Sequence, residues 1–254
     1  MLAAVEEGDV EKLAELMRQD PGFKVNMLHK DGYTLLHHAC GGDSSSPAIP
    51  LLLAHPDIDV NVKDECEETP FAFACFQGHA SCVREMLKDS RVRVNESLND
   101  GETPLLWAAY KGHLDVVQWW IASGREMDLG EPGDDRTDAI GGAMEREDTE
   151  MVTLLESFKE DPVATRHAMR VELGLVDELA AEMFSLVVFV SDELLQINGT
   201  TTTTTPAARF FSIAARLPLE LQMMLCFRLV GSDKEIIPGE ESEVAFKELA
   251  RRLW

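Results

Sequence analysis

Basic residues are scarce in this sequence, cysteines are few, and long apolar runs are missing. Lys and Arg number 23 against 46 Asp and Glu, a formal net charge of −23 over 254 residues. Such a chain is repelled by phosphate backbones and by anionic lipid, which argues against nucleic acid or a membrane surface as partner and points to a neutral or basic protein. No stretch approaches the roughly 18 apolar residues that span a bilayer. The longest, MFSLVVFV at 183–190, suits a buried helix or strand. None of the five cysteines forms a C-x-x-C pair, so a disulfide framework is not expected. The opening MLAAVEEGDVEKL is acidic where a secretory signal carries basic residues. The expectation is a soluble protein of the cytosol or nucleus. Catalytic signatures are missing too: no G-x-S-x-G, P-loop, G-x-G-x-x-G, H-E-x-x-H or kinase pattern occurs. The chain is therefore read as non-enzymatic, with no cofactor.

What the chain does contain is a repeat. DGETPLLWAAYKGHLDVVQWWIASG at 100–124 echoes ECEETPFAFACFQGHASCVREMLKDS thirty-four residues earlier, with Thr69-Pro70, Ala74 and Gly78-His79 falling on Thr103-Pro104, Ala108 and Gly112-His113. Aligning on the threonine adds Thr34 and Thr137, so the spacings are 35, 34 and 34 residues. Each unit reads as a turn, a short helix and a second, more apolar helix. Pro70 and Pro104 lack an N–H and suit the first helical position, with Thr69 and Thr103 as caps. Gly78 and Gly112 suit a left-handed helix end. Small Ala39, Ala74, Ala108 and Ala109, with Cys40 and Cys75, allow first helices to approach one another.

This pattern, D-x-x-G-x-T-P-L-H-x-A-A-x-x-G-H and then an apolar helix and a V-N turn, resembles the ankyrin repeat over about residues 1–160. The resemblance implies an all-α solenoid of about five units with turn or hairpin tips, the first and last being atypical caps. LAAVEEGDVEKLAELM at 2–17 fits an initial half repeat with Gly8-Asp9 at its junction. In the repeat at Asp31, GGDSSSPAIP replaces Gly-His, so a longer and looser turn is expected there. At Thr137, Asp138 stands for the proline, Gly142 for an alanine and Arg146-Glu147-Asp148 for Gly-His.

The period is lost after Phe158, and residues 161–254 read as a helical C-terminal domain. Helices are expected from Asp161-Pro162 and from Asp177, a further one after Ser191-Asp192, a flexible loop in the Thr-rich 198–207, and a terminal amphipathic helix through Phe246, Leu249 and Leu253. In LPLELQMMLCFRL, Leu221, Leu225 and Leu229 share one helical face. Leu217-Pro218-x-Glu220-Leu221 followed by Leu225 is similar to the opening helix of F-box and F-box-like segments. That similarity implies docking to a cullin-type ubiquitin ligase adaptor, whereas plain helical packing explains the same residues.

Two clusters could carry other chemistry. Cys75-x-x-x-His79-x-x-Cys82 has a metal-like spacing, and His37, His38 and Cys40 could face it from the preceding repeat, yet the repeat already explains most of these residues and no metal is expected. Glu126 to Glu150 holds ten acidic residues against Arg136 and Arg146, either a solvated face or a site for a basic ligand. By resemblance to ankyrin proteins, the tips and exposed sides of the first helices line a concave groove. The positions there are Tyr33, His38, Glu68, Phe73, Phe76, Gln77, Glu102, Trp107, Tyr110 and Lys111. Aromatics are favoured interface anchors. Phe73 and Trp107 either line the groove or pack between first helices, whereas Phe76 and Tyr110 are read as binding residues and Trp119 and Trp120 as core. The function expected is protein–protein interaction, with a ubiquitin-ligase substrate receptor as the alternative.

Overall fold

The computed structural model describes residues 1–191, apart from 21 and 99, together with 214, 217, 219–230, 244, 245 and 249. Two compact units divide the chain, 1–169 and 170–254. No strand occurs among the described residues.

The first unit contains five helix pairs: α1 (Leu2–Glu6) with α2 (Val10–Gln19), α3 (Leu35–Ala39) with α4 (Ile49–Leu53), α5 (Pro70–Gln77) with α6 (Ala80–Leu87), α7 (Pro104–Lys111) with α8 (Leu114–Ser123), and α9 (Ala139–Glu145) with α10 (Thr149–Glu160). Each first helix packs on the next, α1 on α3, α5, α7 and α9 in turn, and the second helices form a parallel row. Their facing sides make one continuous core that includes Leu36, Phe71, Leu105, Trp120, Ile121 and Leu155.

Local chemistry sets the starts and stops of α5 and α7. The Thr69 and Thr103 hydroxyls accept from the Ala72 and Leu106 amides at 3.2 and 3.1 Å, each with proline at the first helical position. Gly78 and Gly112 end their helices at φ +80° and +78°. Over Gly78 lies the His113 ring, whose Nε2 faces the Phe76 carbonyl at 3.1 Å. The Arg146 side chain covers Gly112 in the same way.

The turns repeat as strictly as the helices. Amide-to-carbonyl bonds His29 to Tyr33, Asp64 to Glu68 and Leu98 to Glu102 close successive tips. The left-handed position in these tips is held by Gly32, Glu67 and Gly101. The asparagine of each V-N turn staples its repeat to the next: Asn26 bonds the Asp57 carbonyl and Asp59 amide, Asn61 the Arg91 carbonyl and Arg93 amide, and Asn95 the Asp128 amide. Arg91 reaches the Leu53 carbonyl at 2.7 Å, and Arg125 reaches the carbonyls of Leu87, Asp89 and Val92 at 3.3, 2.6 and 2.6 Å. These cations meet the last carbonyl of the preceding second helix, Leu53 or Leu87, where the helix dipole is negative, and Arg125 also ties down the turn that follows α6.

Four expectations change. The segment replacing Gly-His after Cys40 is longer but not loose. Asp43–Ala48 forms a 3-10 helix in which the buried Ser45 hydroxyl reaches the Ala39 and Gly42 carbonyls at 2.9 and 2.7 Å, and Ser46 reaches Asp43 at 2.8 Å. Serine satisfies local carbonyls where a short junction would have used the backbone. Trp119 is only half-buried, beneath the Arg84 guanidinium at 4.6 Å, while Trp120 alone enters the core and donates to the Glu126 carbonyl.

The last repeat is shifted by one residue. Without a proline, Asp138 itself caps α9, accepting from the Gly141 amide at 2.9 Å, and Glu147 at φ +60° takes the junction glycine's place. The true spacing from Thr103 is therefore 35 residues, and Gly142 sits in the slot of Trp107 rather than of an alanine.

A further helix, α11 (Pro162–Glu172), starts where Asp161 accepts from the Val163 and Ala164 amides. In the second unit, α12 (Val176–Ser191) packs on α13 (Leu219–Leu229), joining Ala180, Ala181, Phe184 and Val187 to Cys226 and Phe227. MFSLVVFV is thus helical. The buried side of α13 runs through Gln222, Cys226 and Phe227; Leu221 and Leu229 are exposed, and Leu225 is half-buried. The expected Leu221–Leu225–Leu229 face is therefore not the packed one: of the three only Leu225 joins the cluster, at its edge, while Met223, Cys226, Phe227 and Val230 share the helical spacing that meets α12. Pro218, the expected helix after Ser191-Asp192, the Thr-rich 198–207 and most of the terminal helix lie outside the described residues.

Candidate functional site

The row of first helices carries two aromatic clusters, and the sequence-derived positions divide between them. In the first, Tyr33 stacks on His37 (5.6 Å between ring centres, 18° between planes), meets His38 edge-on at 5.7 Å and approaches Phe73 at 5.4 Å. His38 lies 3.4 Å from the Glu6 carboxylate, and burial lowers its pKa against the pull of that carboxylate. Phe73 is half-buried and packs on the core, so it belongs to both readings left open above. Glu68 enters this cluster through its backbone: its carbonyl faces His37 Nε2 at 3.1 Å, and burial together with Asp64 raises the pKa of its carboxyl.

The second cluster spans α5 and α7. The Trp107 ring meets Phe76 edge-on at 5.0 Å and Tyr110 at 6.0 Å. Its indole N–H donates to the Glu102 carboxylate at 3.0 Å. The Lys111 ammonium stands 4.7 Å over Phe76 and 5.6 Å from the Trp107 ring centre. Five expected residues thus form one contiguous group whose outermost ring, Tyr110, is 43% exposed. Gln77 is exposed at the end of α5, outside both groups. The rings are held by one another and by Glu102.

Beside Trp107 opens a cleft of about 410 Å³ that sequence reasoning did not assemble. It is lined by Glu102, Leu106, Trp107 and Tyr110 on one side and by Gly133, Asp134, Asp135, Asp138, Gly141, Gly142 and Glu145 on the other. The acidic run was visible in the sequence; its convergence on Trp107 depends on how α9 stacks on α7.

The cysteine–histidine group is occupied by packing. Cys40, Cys75 and Cys82 are buried thiols, with Cys82 Sγ 3.4 Å from the Ala39 and Gly42 carbonyls, and burial raises the pKa of Cys75 well above its ordinary value. Among the described residues no three His, Cys, Asp or Glu side chains come close enough together to hold a metal ion, and no helix is long and apolar enough to cross a membrane.

Comparison with known proteins agrees with the stacked pairs. A segment of 68 residues is 44% identical to SMC5-SMC6 complex localization factor protein 1 of Bos taurus, covering 26% of this chain and 6% of that protein. The human and mouse proteins of the same name are 46% and 42% identical over 57 residues, 22% of this chain and 5% of theirs. The chain thus covers only a small part of these relatives. The comparisons give no support to an F-box-like segment. Residues 43–131 match the family of ankyrin repeats in three copies, and ankyrin repeats, usually non-catalytic, are what this all-helical stack contains.

Proposed function

We propose that the row of first helices binds another protein through the Phe76–Trp107–Tyr110 cluster, without bond chemistry. Ankyrin repeats suggest protein binding as a class. The observation that carries the finer reading is the edge-on packing of three large aromatics, Phe76, Trp107 and Tyr110, the last of them 43% exposed. Rings of this kind, already ordered and partly wet, are what interface anchors are made of. The net charge of −23 selects a neutral or basic partner, and the cytosol or nucleus is the proposed setting. The relatives are named for localization of the SMC5-SMC6 complex; what they share with this chain is a short segment, so the inference extends to the binding mode and not to that partner.

The test is an affinity pull-down with wild type beside Phe76→Ala/Tyr110→Ala, with thermal melts to verify folding. Partners retained by wild type and lost by the folded variant support the reading. Equal retention by both overturns it.

A further inference from the structure

We infer that the cleft beside Trp107 receives a lysine or arginine side chain from a basic segment of the partner. The inference rests on the binding face proposed above and specifies the chemistry at one end of it.

The cleft arises where the column of large side chains on the first helices stops. His38, Phe73 and Trp107 occupy equivalent slots on α3, α5 and α7, and on α9 that slot holds Gly142. A Cβ at Gly142 would stand 2.9 Å from Leu106 Cδ1, and one at Gly141 would stand 2.7 Å from the Asp138 carboxylate. Gly142 therefore lets α9 approach α7 closely and leaves no side chain to cover the Trp107 side of the cleft, while Gly141 makes room for the capping carboxylate of Asp138. Its volume, about 410 Å³, falls within the roughly 300–1,000 Å³ of ligand clefts.

The lining is selective. Five carboxylates line the cleft, those of Glu102, Asp134, Asp135, Asp138 and Glu145, with no Lys, Arg or His among the lining residues. Three are committed: Glu102 to the Trp107 indole, Asp138 to the Gly133 and Gly141 amides, and Asp134 to the Arg136 amide. The Asp135 and Glu145 side chains have no hydrogen bond or ion pair among the described residues, and both residues are exposed. The nearby cations are engaged, Arg136 with the Asp100 carbonyl at 2.6 Å and Lys111 over Phe76. An aromatic wall with two unengaged carboxylates opposite it fits a cation on an apolar stem. The stem packs on Trp107 and Tyr110, the charged head meets Asp135 and Glu145, and indole is the strongest of the aromatic partners for a cation. A metal ion is a poorer fit, since no three potential ligands are gathered here among the described residues.

The experiment uses the full chain and a fluorescein-labelled dodecapeptide of alternating glycine and lysine, with glycine–arginine and glycine–glutamate versions alongside, followed by anisotropy at low and moderate salt. Asp135→Asn/Glu145→Gln removes two charges at the cleft; Glu11→Gln/Glu156→Gln removes two exposed charges on α2 and α10. The cleft pair is expected to weaken the basic peptides about tenfold and the remote pair less than about twofold, with the Trp107 indole resonance shifting on titration. Equal weakening by both pairs, no binding of either basic peptide, or full displacement by equimolar spermine overturns the inference. In the pull-down, a partner lost by Phe76→Ala/Tyr110→Ala but kept by Asp135→Asn/Glu145→Gln overturns the cleft inference and leaves the binding face standing.

Discussion

Replacing Gly78 by alanine tests the stacking of one repeat junction on the next. Gly78 has φ +80°, and a Cβ there would stand 2.5 Å from Cε1 and 2.7 Å from Cγ of the His113 ring. Two costs add. The left-handed conformation costs an L-residue about 1–2 kcal/mol. Displacing the ring also breaks the 3.1 Å contact between His113 Nε2 and the Phe76 carbonyl, worth about 1 kcal/mol. Gly78→Ala should therefore lower stability by about 2–3 kcal/mol in equilibrium urea unfolding followed by circular dichroism. Gly133 supplies the reference, with φ +81° and nothing within 4 Å of the added carbon. Gly133→Ala should show the conformational cost alone, about 1–2 kcal/mol. In a His113→Ala background the ring is already gone, so the Gly78→Ala penalty should shrink to the Gly133 value, a coupling of about 1 kcal/mol. An identical Gly78→Ala penalty in both backgrounds would refute the stack.

Three further perturbations follow from the same geometry. His37 Nε2 faces the Glu68 carbonyl at 3.1 Å while Nδ1 accepts from the Thr34 amide at 3.2 Å, so the ring is neutral with its proton on Nε2, and burial lowers its pKa below 6.5. As pH falls, the unfolded chain takes up the proton first, so this stability is intact above 6.5 and is lost between 6.5 and the lower native pKa. His38 acts with the same sign. Melting temperature should fall on acidification from about pH 7 to about pH 5.5, and less steeply in His37→Gln; an unchanged slope in the variant would remove His37 as the cause. Arg125→Met keeps the apolar stem but loses bonds to three carbonyls, for an expected loss of about 2 kcal/mol by urea unfolding; a loss below about 0.5 kcal/mol would make the arginine a mere surface charge. Glu67 adopts φ +63° where the flanking tips use Gly32 and Gly101, so Glu67→Gly should raise stability by about 0.5–1 kcal/mol, and a net loss would show that its 3.7 Å ion pair with Lys63 outweighs the strain.

Positions that recur every turn of the solenoid were legible because identical physics selects them each time. Thr69 and Thr103 cap, Gly78 and Gly112 turn left-handed, and Asn61 and Asn95 staple, so periodic spacing alone identified the repeat. The aromatic residues could be named from their slots, and the structure brings Phe76, Trp107 and Tyr110 together, with Trp107 packing between the other two rings. Legibility failed where one local rule gave way to another. Thr137 shares the threonine period, yet with no proline behind it the neighbouring aspartate is the stronger cap, and the register moves by one. In α13 the leucines four apart suggested the buried face, but a helix buries whatever its partner meets, and α12 meets Cys226 and Phe227.

That one-residue shift changes which slots the residues of the last repeat occupy. Aligned on Thr137, Gly142 is a small residue replacing another small residue, and Glu145 falls opposite Lys111 as one more surface charge. Aligned on Asp138, Gly142 replaces Trp107 and Glu145 replaces Tyr110. The repeat has lost its aromatics at the two slots where its neighbour displays them, and a carboxylate has taken one. A capping repeat needs only a polar outer side to meet water; nothing in that requirement empties the slot beside Trp107. The departure leaves Trp107 and Tyr110 facing Asp135 and Glu145 across a cleft. In a periodic fold the shared residues hold the stack together, so the information about what it binds resides in the places where the period is broken.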